Sequence, residues 1–190
     1  MIDEAGIGRL VAHSIALKQR FFAARASDVL AAGRAMAEAL RGGGRVLAFG
    51  NGGSAADAQH LAAELVGRFL AERPGLAAIA LGSDPSTVTS ISNDYGYEHV
   101  FHRQVEAHGR PGDVALGITT SGRSKNVLAA LDLARTKGLR TIALTGVGGA
   151  ALAGRVDHLL DVPDGDTARV QEVHGMVVHL LCQIVDESLA

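Results

Sequence analysis

Five short apolar runs, at residues 45–50, 76–82, 113–119, 140–145 and 158–162, recur along the chain, each bounded by glycine, proline or aspartate and followed by a helical pattern. Runs this short, apolar without alternation, are strands buried on both faces, and such strands joined by helical crossovers build a parallel sheet. The spacing therefore predicts an α/β fold, a five-stranded parallel sheet flanked by helices in a doubly wound, flavodoxin or Rossmann-like three-layer arrangement. With 190 residues there is material for one substantial core. No fixed-period repeat, low-complexity tract or linker divides the chain, which reads as a single domain: a helical segment over 1–42 and an α/β core over 43–190.

In the N-terminal segment, Ile7, Leu10, Val11, Ile15, Leu17, Phe21 and Phe22 recur at helical turns, Ser27-Asp28 predicts the start of a second, alanine-rich helix, and Gly42-Gly43-Gly44 ends it. The final helix, over about 167–187, carries Val170, Val173, Val177, Val178, Leu180, Leu181, Ile184 and Val185 around more than one face. A helix apolar on several sides is buried on several sides, so part of it is expected against another protomer. A formal charge of −2 gives no reason to expect nucleic acid or a membrane surface as partner. No apolar run is long enough to span a bilayer, and residues 1–8, with Asp3 and Glu4, do not read as a secretory leader. The lone Cys182 rules out an internal disulfide and fits a reducing cytoplasm.

Two loops stand where a strand ends and a helix opens. After the first strand comes Asn51-Gly52-Gly53-Ser54, where unpaired helical N–H groups, the helix dipole and two glycines suit an anion, with Ser54 expected as N-cap or phosphate ligand. After the third strand comes Thr119-Thr120-Ser121-Gly122-Arg123-Ser124, a hydroxyl-rich second seat. Ligands of open parallel sheets bind beyond the carboxyl ends of the strands, where both loops fall.

His60 and Glu64, four residues apart on the helix after the first loop, project from one face and are spaced to share a cation. Gln171, His174 and His179 on the last helix offer further nitrogen and oxygen ligands of the kind zinc takes. His174 reads equally well as a hydrogen-bonded packing residue, and Cys182 as a core residue. Asn93 and Asp94 follow the helix begun by Asp84-Pro85-Ser86 and suit sugar hydroxyls or a plain turn. Arg68, one turn beyond Glu64, reads as its counter-charge, a phosphate contact or a surface ion pair.

Taken together, Gly50 to His60, Asn93-Asp94-Tyr95-Gly96-Tyr97, Thr120 to Ser124 and Arg169 to His174 closely resemble the sugar isomerase (SIS) domain family and, within it, the phosphoheptose isomerases that act on sedoheptulose 7-phosphate. The resemblance covers almost the whole chain. It implies a cytoplasmic homotetramer that uses its N-terminal helices in oligomerisation and has active sites at protomer interfaces. It also implies conversion of sedoheptulose 7-phosphate to D-glycero-D-manno-heptose 7-phosphate, the entry to ADP- or GDP-heptose for lipopolysaccharide or other surface glycans. By the same resemblance one zinc ion per subunit is bound by His60, Glu64, Gln171 and His179. Asn51, Gly52, Gly53, Ser54, Glu64, Arg68, Asn93, Asp94, Thr120, Ser121, Ser124 and Gln171 contact substrate, as does Thr119, where the family often has serine. Glu64 is then the base and His179 the acid of an enediol proton transfer. A related branch of the family binds the replication initiator without the metal and acid-base residues, so a non-catalytic module binding a sugar phosphate or a protein is the alternative reading. No Gly-x-Gly-x-x-Gly turn follows the first strand, which disfavours a dinucleotide enzyme.

Helix geometry adds one constraint. Gln171 and His179 are separated by roughly 12 Å along a regular helix, against metal bonds of about 2 Å. The site is therefore expected to be completed across a protomer boundary, or with Gln171 outside the regular helix.

Overall fold

The computed structural model describes residues 1–189. β1 (Val46–Gly50), β2 (Ala78–Ala80), β3 (Val114–Thr119), β4 (Arg140–Thr145) and β5 (His158–Asp161) form one sheet in the order β2-β1-β3-β4-β5. Every neighbouring pair is parallel. The chain steps from β1 to β2 on one side and crosses back to β3 on the other, so β1 and β3 flank the point where the winding reverses. In an open sheet that is where a crevice opens beyond the carboxyl ends. The register sets Gly50 opposite Ile118, so the loops after β1 and β3 leave the same edge side by side.

Successive strand residues feed opposite cores. Val46, Ala48, Leu116 and Ile118 pack under α1 (Glu4–Arg41), α2 (Gly53–Val66) and α6 (Thr167–Leu189). Leu47, Phe49 and Ala115 pack against α4 (Val100–His108) and α5 (Lys125–Thr136), with α3 (Pro85–Tyr95) and the 3₁₀ turn Tyr97–His99 leading into α4. Burial on both faces is why these strands are apolar throughout.

Two local expectations give way. The segment before β1 is one helix of 38 residues rather than two. No proline falls within it and glycine only at positions 6, 8 and 33. Its hydrogen-bond ladder is never broken, and Asp28 pairs one turn back with Arg25 at 3.1 Å instead of capping a new start. Asn93 and Asp94 lie in the last turn of α3 rather than in a turn beyond it, and Gly96, at φ 93°, ends the helix. The start of α3 is as expected, with the Asp84 carboxylate accepting from the Ser86 amide at 2.9 Å and Pro85 in the first turn.

Cys182 is fully buried in the core, and burial pushes its thiol up to about 12. His174 is also fully buried and donates from Nε2 to the Thr145 carbonyl at 3.1 Å. Burial lowers its pKa from 6.5 to about 4, against the opposing pull of that hydrogen bond. Below pH 6.5 the unfolded chain takes up a proton that the folded chain refuses until about pH 4, so stability falls as pH falls through that window. The urea midpoint is accordingly expected to be lower at pH 5 than at pH 7. A His174→Leu variant, less stable at pH 7 through loss of the Thr145 bond, should show a shallower acid-side slope, and an unchanged slope would remove His174 as its source.

Candidate active site

At the end of β1 the chain turns on Gly52, whose φ of 57° favours glycine, and α2 begins at Gly53. Ser54 does not cap it. The serine sits inside the first turn, 4% exposed and packed so tightly on β1 that a Cβ on Gly50 would lie 2.8 Å from that of Ser54. The Asn51 carbonyl takes the amide of Ser54, and the Gly52 carbonyl those of Ala55 and Ala56. The anion seat expected at this turn thereby narrows to Gly52 and Gly53. Asn51 and Asn126 exchange a reciprocal pair of amide hydrogen bonds at 3.0 and 2.9 Å, and the Tyr97 hydroxyl donates to Asn51 Oδ1 at 3.0 Å. Asn126 had no motif to mark it: its partner lies 75 residues away and only the β1/β3 register brings the two together.

The loop after β3 is better provided. Thr119 Oγ1, 3% exposed, lies 2.9 Å from Ser124 Oγ and 3.4 Å from Ser121 Oγ, and Ser121 Oγ accepts from the Arg123 amide at 3.2 Å. Ser124 opens α5 without a side-chain cap bond, its hydroxyl turned to Thr119 instead. Beside this loop is a cavity of about 340 Å³ lined by Thr120, Ser121, Arg123, Val147, Gly148, Gly165 and Thr167. It offers hydroxyls and a guanidinium, a combination suited to a phosphate group. Arg123 belongs to the expected seat, whereas nothing in the sequence marks Thr167.

The second group of residues lies on the outer face of α2 and α6, which run side by side in the same direction. His60 Nε2 is 3.1 Å from Glu64 Oε1 and 3.4 Å from His179 Nε2. One chain therefore brings His60, Glu64 and His179 together without help from a neighbour. Gln171 does not join them. It lies inside the regular helix α6, and its amide packs at the first turn of α2, within 2.4 Å of where a Cβ on Gly53 would stand. Seven residues of α2 separate Gly53 from His60, roughly 10 Å along the axis. Within one chain Gln171 thus belongs to the carboxyl edge of the sheet and not to the histidine cluster.

Between these two levels Asp57 of α2 is half-buried, with Oδ2 buried and unpartnered among the described residues. Burial raises its carboxyl above the usual range, while nearby His60 pulls the other way. Asn93 donates to Asp94 at 2.8 Å, and both are exposed. Arg68 is not on α2, which ends at Val66 with Gly67 as C-cap; it pairs with Glu72 at 3.5 Å, both side chains largely in solvent. That is the surface ion pair among its three readings.

Two imidazole nitrogens and a carboxylate oxygen are a donor set of the type zinc takes, and two ligands of a tetrahedral ion with bonds of 2.0–2.1 Å stand about 3.3 Å apart. The separations from His60 Nε2, 3.1 and 3.4 Å, match that spacing. Among the described residues no preformed cage of three His, Cys, Asp or Glu side chains is present. The cluster matches an ion in donor chemistry and in the two separations from His60, with its groups resting against one another.

The SIS domain profile matches residues 11–146. The chain is similar to the phosphoheptose isomerase of Roseiflexus sp. (strain RS-1), 53% identical over 93% of this chain and 89% of that protein. It is also similar to that of Thermodesulfovibrio yellowstonii, 45% identical over 98% and 92% respectively. Among solved structures it superposes on a phosphoheptose isomerase from Francisella tularensis with a TM-score of 0.93, at 40% identity over 98% of this chain and all of that one. The enzyme from Neisseria gonorrhoeae gives 0.89 at 44% identity, over 95% and 97%.

Gly122 sets the shape of the second loop. Its φ is 65°, and a Cβ there would stand 2.5 Å from the Gly148 backbone. Gly122→Ala is expected to destabilise the fold by about 2–4 kcal/mol, from the left-handed strain and the displaced backbone together, and to weaken calorimetric binding of a phosphorylated ligand. Wild-type values in both measurements would show that the loop tolerates a different path.

Proposed function

Because the chain belongs to the SIS domain family and is 53% identical to phosphoheptose isomerases over more than nine-tenths of its length, we infer that it is a phosphoheptose isomerase, interconverting sedoheptulose 7-phosphate and D-glycero-D-manno-heptose 7-phosphate. This places it in heptose biosynthesis. The observation that carries the reading is the meeting of His60, Glu64 and His179 within hydrogen-bond reach. A module that only binds a sugar phosphate or a protein has no use for a base and an acid held together.

In the ketose-to-aldose direction Glu64 removes a proton from C1, and the electron pair forms the double bond of an enediol while His179 protonates O2. His179 then takes the proton of O1, the C1 carbonyl forms, and Glu64 returns its proton to C2. Glu64 Oε1 and His179 Nε2 face His60, which leaves Glu64 Oε2 and His179 Nδ1 for proton transfer. His60, Glu64 and His179 would hold one zinc ion per subunit, with a position open to substrate as in catalytic zinc sites. Bound there, the ion would polarise the sugar oxygens. Gln171, with Asn51, Gly52 and Gly53, serves the substrate at the sheet edge. Thr120, Ser121, Arg123 and Thr167 seat the phosphate, whose binding energy orients the reacting carbons.

The cluster is open to solvent, with the His60 side chain 43% exposed. Exposed apolar side chains stand on the same two helices and on the loop between α2 and β2: Val66 53%, Leu70 65% and Met176 41%. A second apolar face runs along α1 through Ile7, Leu10, Val11 and Ile15. It continues into a groove of about 280 Å³ lined by Phe22, Ala26, Leu30, Leu180 and Ile184. Two separate self-complementary faces are what a dihedral tetramer needs, so a homotetramer in which a neighbour closes each cluster is the assembly proposed. Among the described residues no helix is long and apolar enough to cross a membrane, and a cytoplasmic site of action is proposed from the class of reaction.

Glu64→Gln should fold normally by circular dichroism yet lose about 10³-fold or more in turnover of sedoheptulose 7-phosphate followed by NMR. A near-normal rate removes Glu64 as base. A chelator should lower the wild-type rate and added zinc restore it, and indifference to both would exclude the ion. Val11→Glu with Ile15→Glu, placing charges on the exposed stripe, is expected to reduce the oligomer to smaller species in light scattering; an unchanged mass would free that face from assembly.

A further inference from the structure

The loop after α2 returns to α6, and one of its side chains lies against His179. The Phe69 ring lies against the imidazole with centroids 5.6 Å apart and planes inclined by 23°. His60 meets the same ring edge-on, at 4.9 Å and 84°. His179 is thus bounded by a nearly parallel aromatic face and a perpendicular imidazole, which together define the plane of its ring.

No secondary structure of its own fixes Phe69, since α2 has ended at Val66 and the chain is irregular until β2. The anchor is on α6, seven residues beyond His179. Asp186 Oδ2 accepts from the amides of Leu70 and Ala71 at 2.9 and 3.0 Å, and Oδ1 accepts from Arg73 Nε at 2.7 Å. Arg73 in turn donates to the carbonyls of Leu65 at 2.9 Å and Glu64 at 3.0 Å, two of the carbonyls that the end of α2 leaves without helical partners. The Asp186 and Arg73 side chains are only 3% and 9% exposed. A buried ion pair is a poor source of net stability, because both charges lose their water. Its donors and acceptors are directional, though, and here they tie three things at one point: α6, the loop, and the backbone of Glu64.

We propose that Asp186 and Arg73 are positioning residues for the isomerisation, pinning the 67–74 loop so that Phe69 stacks on His179 and fixes its imidazole with Nε2 toward His60. The proposal rests on the reading of His179 as the acid. Phe69 touches the catalytic ring, whereas Asp186 acts on it only through the loop.

The test compares Phe69→Leu, Phe69→Tyr and Asp186→Asn in the full-length enzyme. Loss of a group that orients a reacting or metal-binding side chain costs about 10- to 100-fold in function. Phe69→Leu is therefore expected to lower kcat about tenfold with KM changed less than about twofold, and Phe69→Tyr, which keeps the ring, to recover most of that loss. The His179 ring resonances, assigned in a ¹H–¹³C spectrum through their absence from His179→Ala, carry a ring-current shift from Phe69. That shift should vanish in Phe69→Leu and be reduced or broadened in Asp186→Asn, although Phe69 is intact there. If Asp186→Asn does not fold, Arg73→Lys, which keeps the charge but loses the fork to the Leu65 and Glu64 carbonyls, is read in the same way, and unmoved His179 resonances in it overturn the proposal. Unmoved His179 resonances in a folded Asp186→Asn protein, or full kcat in Phe69→Leu, overturn the proposal. Full turnover in His179→Ala overturns instead the reading beneath it, and the ring-current shift distinguishes the cases because it reports the stacking whether or not His179 transfers a proton.

Discussion

α2 and α6 lie side by side and in parallel, and this pairing sets the level at which each polar group works. At the carboxyl edge Gln171 packs on Gly53, where only a residue without a side chain leaves room for the amide. Midway along, His60 faces His179. At the far end Asp186 receives the chain as it leaves α2. A shift of one helix past the other by a single turn, about 5.4 Å, would separate all three pairs at once. The sheet beneath supplies the reference, because buried side chains of both helices interlock with β1 and β3 in one apolar layer.

The site is therefore divided between two kinds of support. The carboxyl edge is made of strand ends, whose register is set by ladder hydrogen bonds, and its groups are already bonded to one another: Asn51 to Asn126, Thr119 to Ser124. The cluster on α2 and α6 is supported by side chains instead, with its imidazoles and carboxylate touching each other and Phe69 stacked on His179.

The strands and their order of appearance were legible because burial on both faces writes itself as an uninterrupted apolar run. Capping was legible where one local interaction decides, as at Asp84 and Pro85. It misled where a longer-range fact overrode it. Ser27-Asp28 looks like a helix start, yet nothing before it stops the helix it sits in. Ser54 looks like a cap, yet Gly52 adopts the backbone that opens α2 and leaves Ser54 to be buried. Of the site, the pairing of His60 with Glu64 followed from helical spacing alone, and the family resemblance pointed to His179. Asn126, Thr167, Phe69 and Asp186 were invisible for one reason: each acts through a partner far along the chain or through a backbone amide, and neither leaves a pattern in sequence.

α1 packs along α6 although residues 42–166 lie between them. α1 and α6 share a core in which Gly33 lets Ile184 approach within 2.8 Å of its would-be Cβ, and Arg169 at the start of α6 reaches back toward the Leu10 carbonyl. β5 and the sheet meet α1 as well, but the flank that faces α6 stays open until residues 167–189 are in place. Contacts of such long sequence separation are slow to form, and the uncovered surface meanwhile is open to wrong partners. α6 is thus the keystone of that layer: it alone joins α1, α2 and the sheet into one core, and without it the flank of α1 that it covers would lie bare.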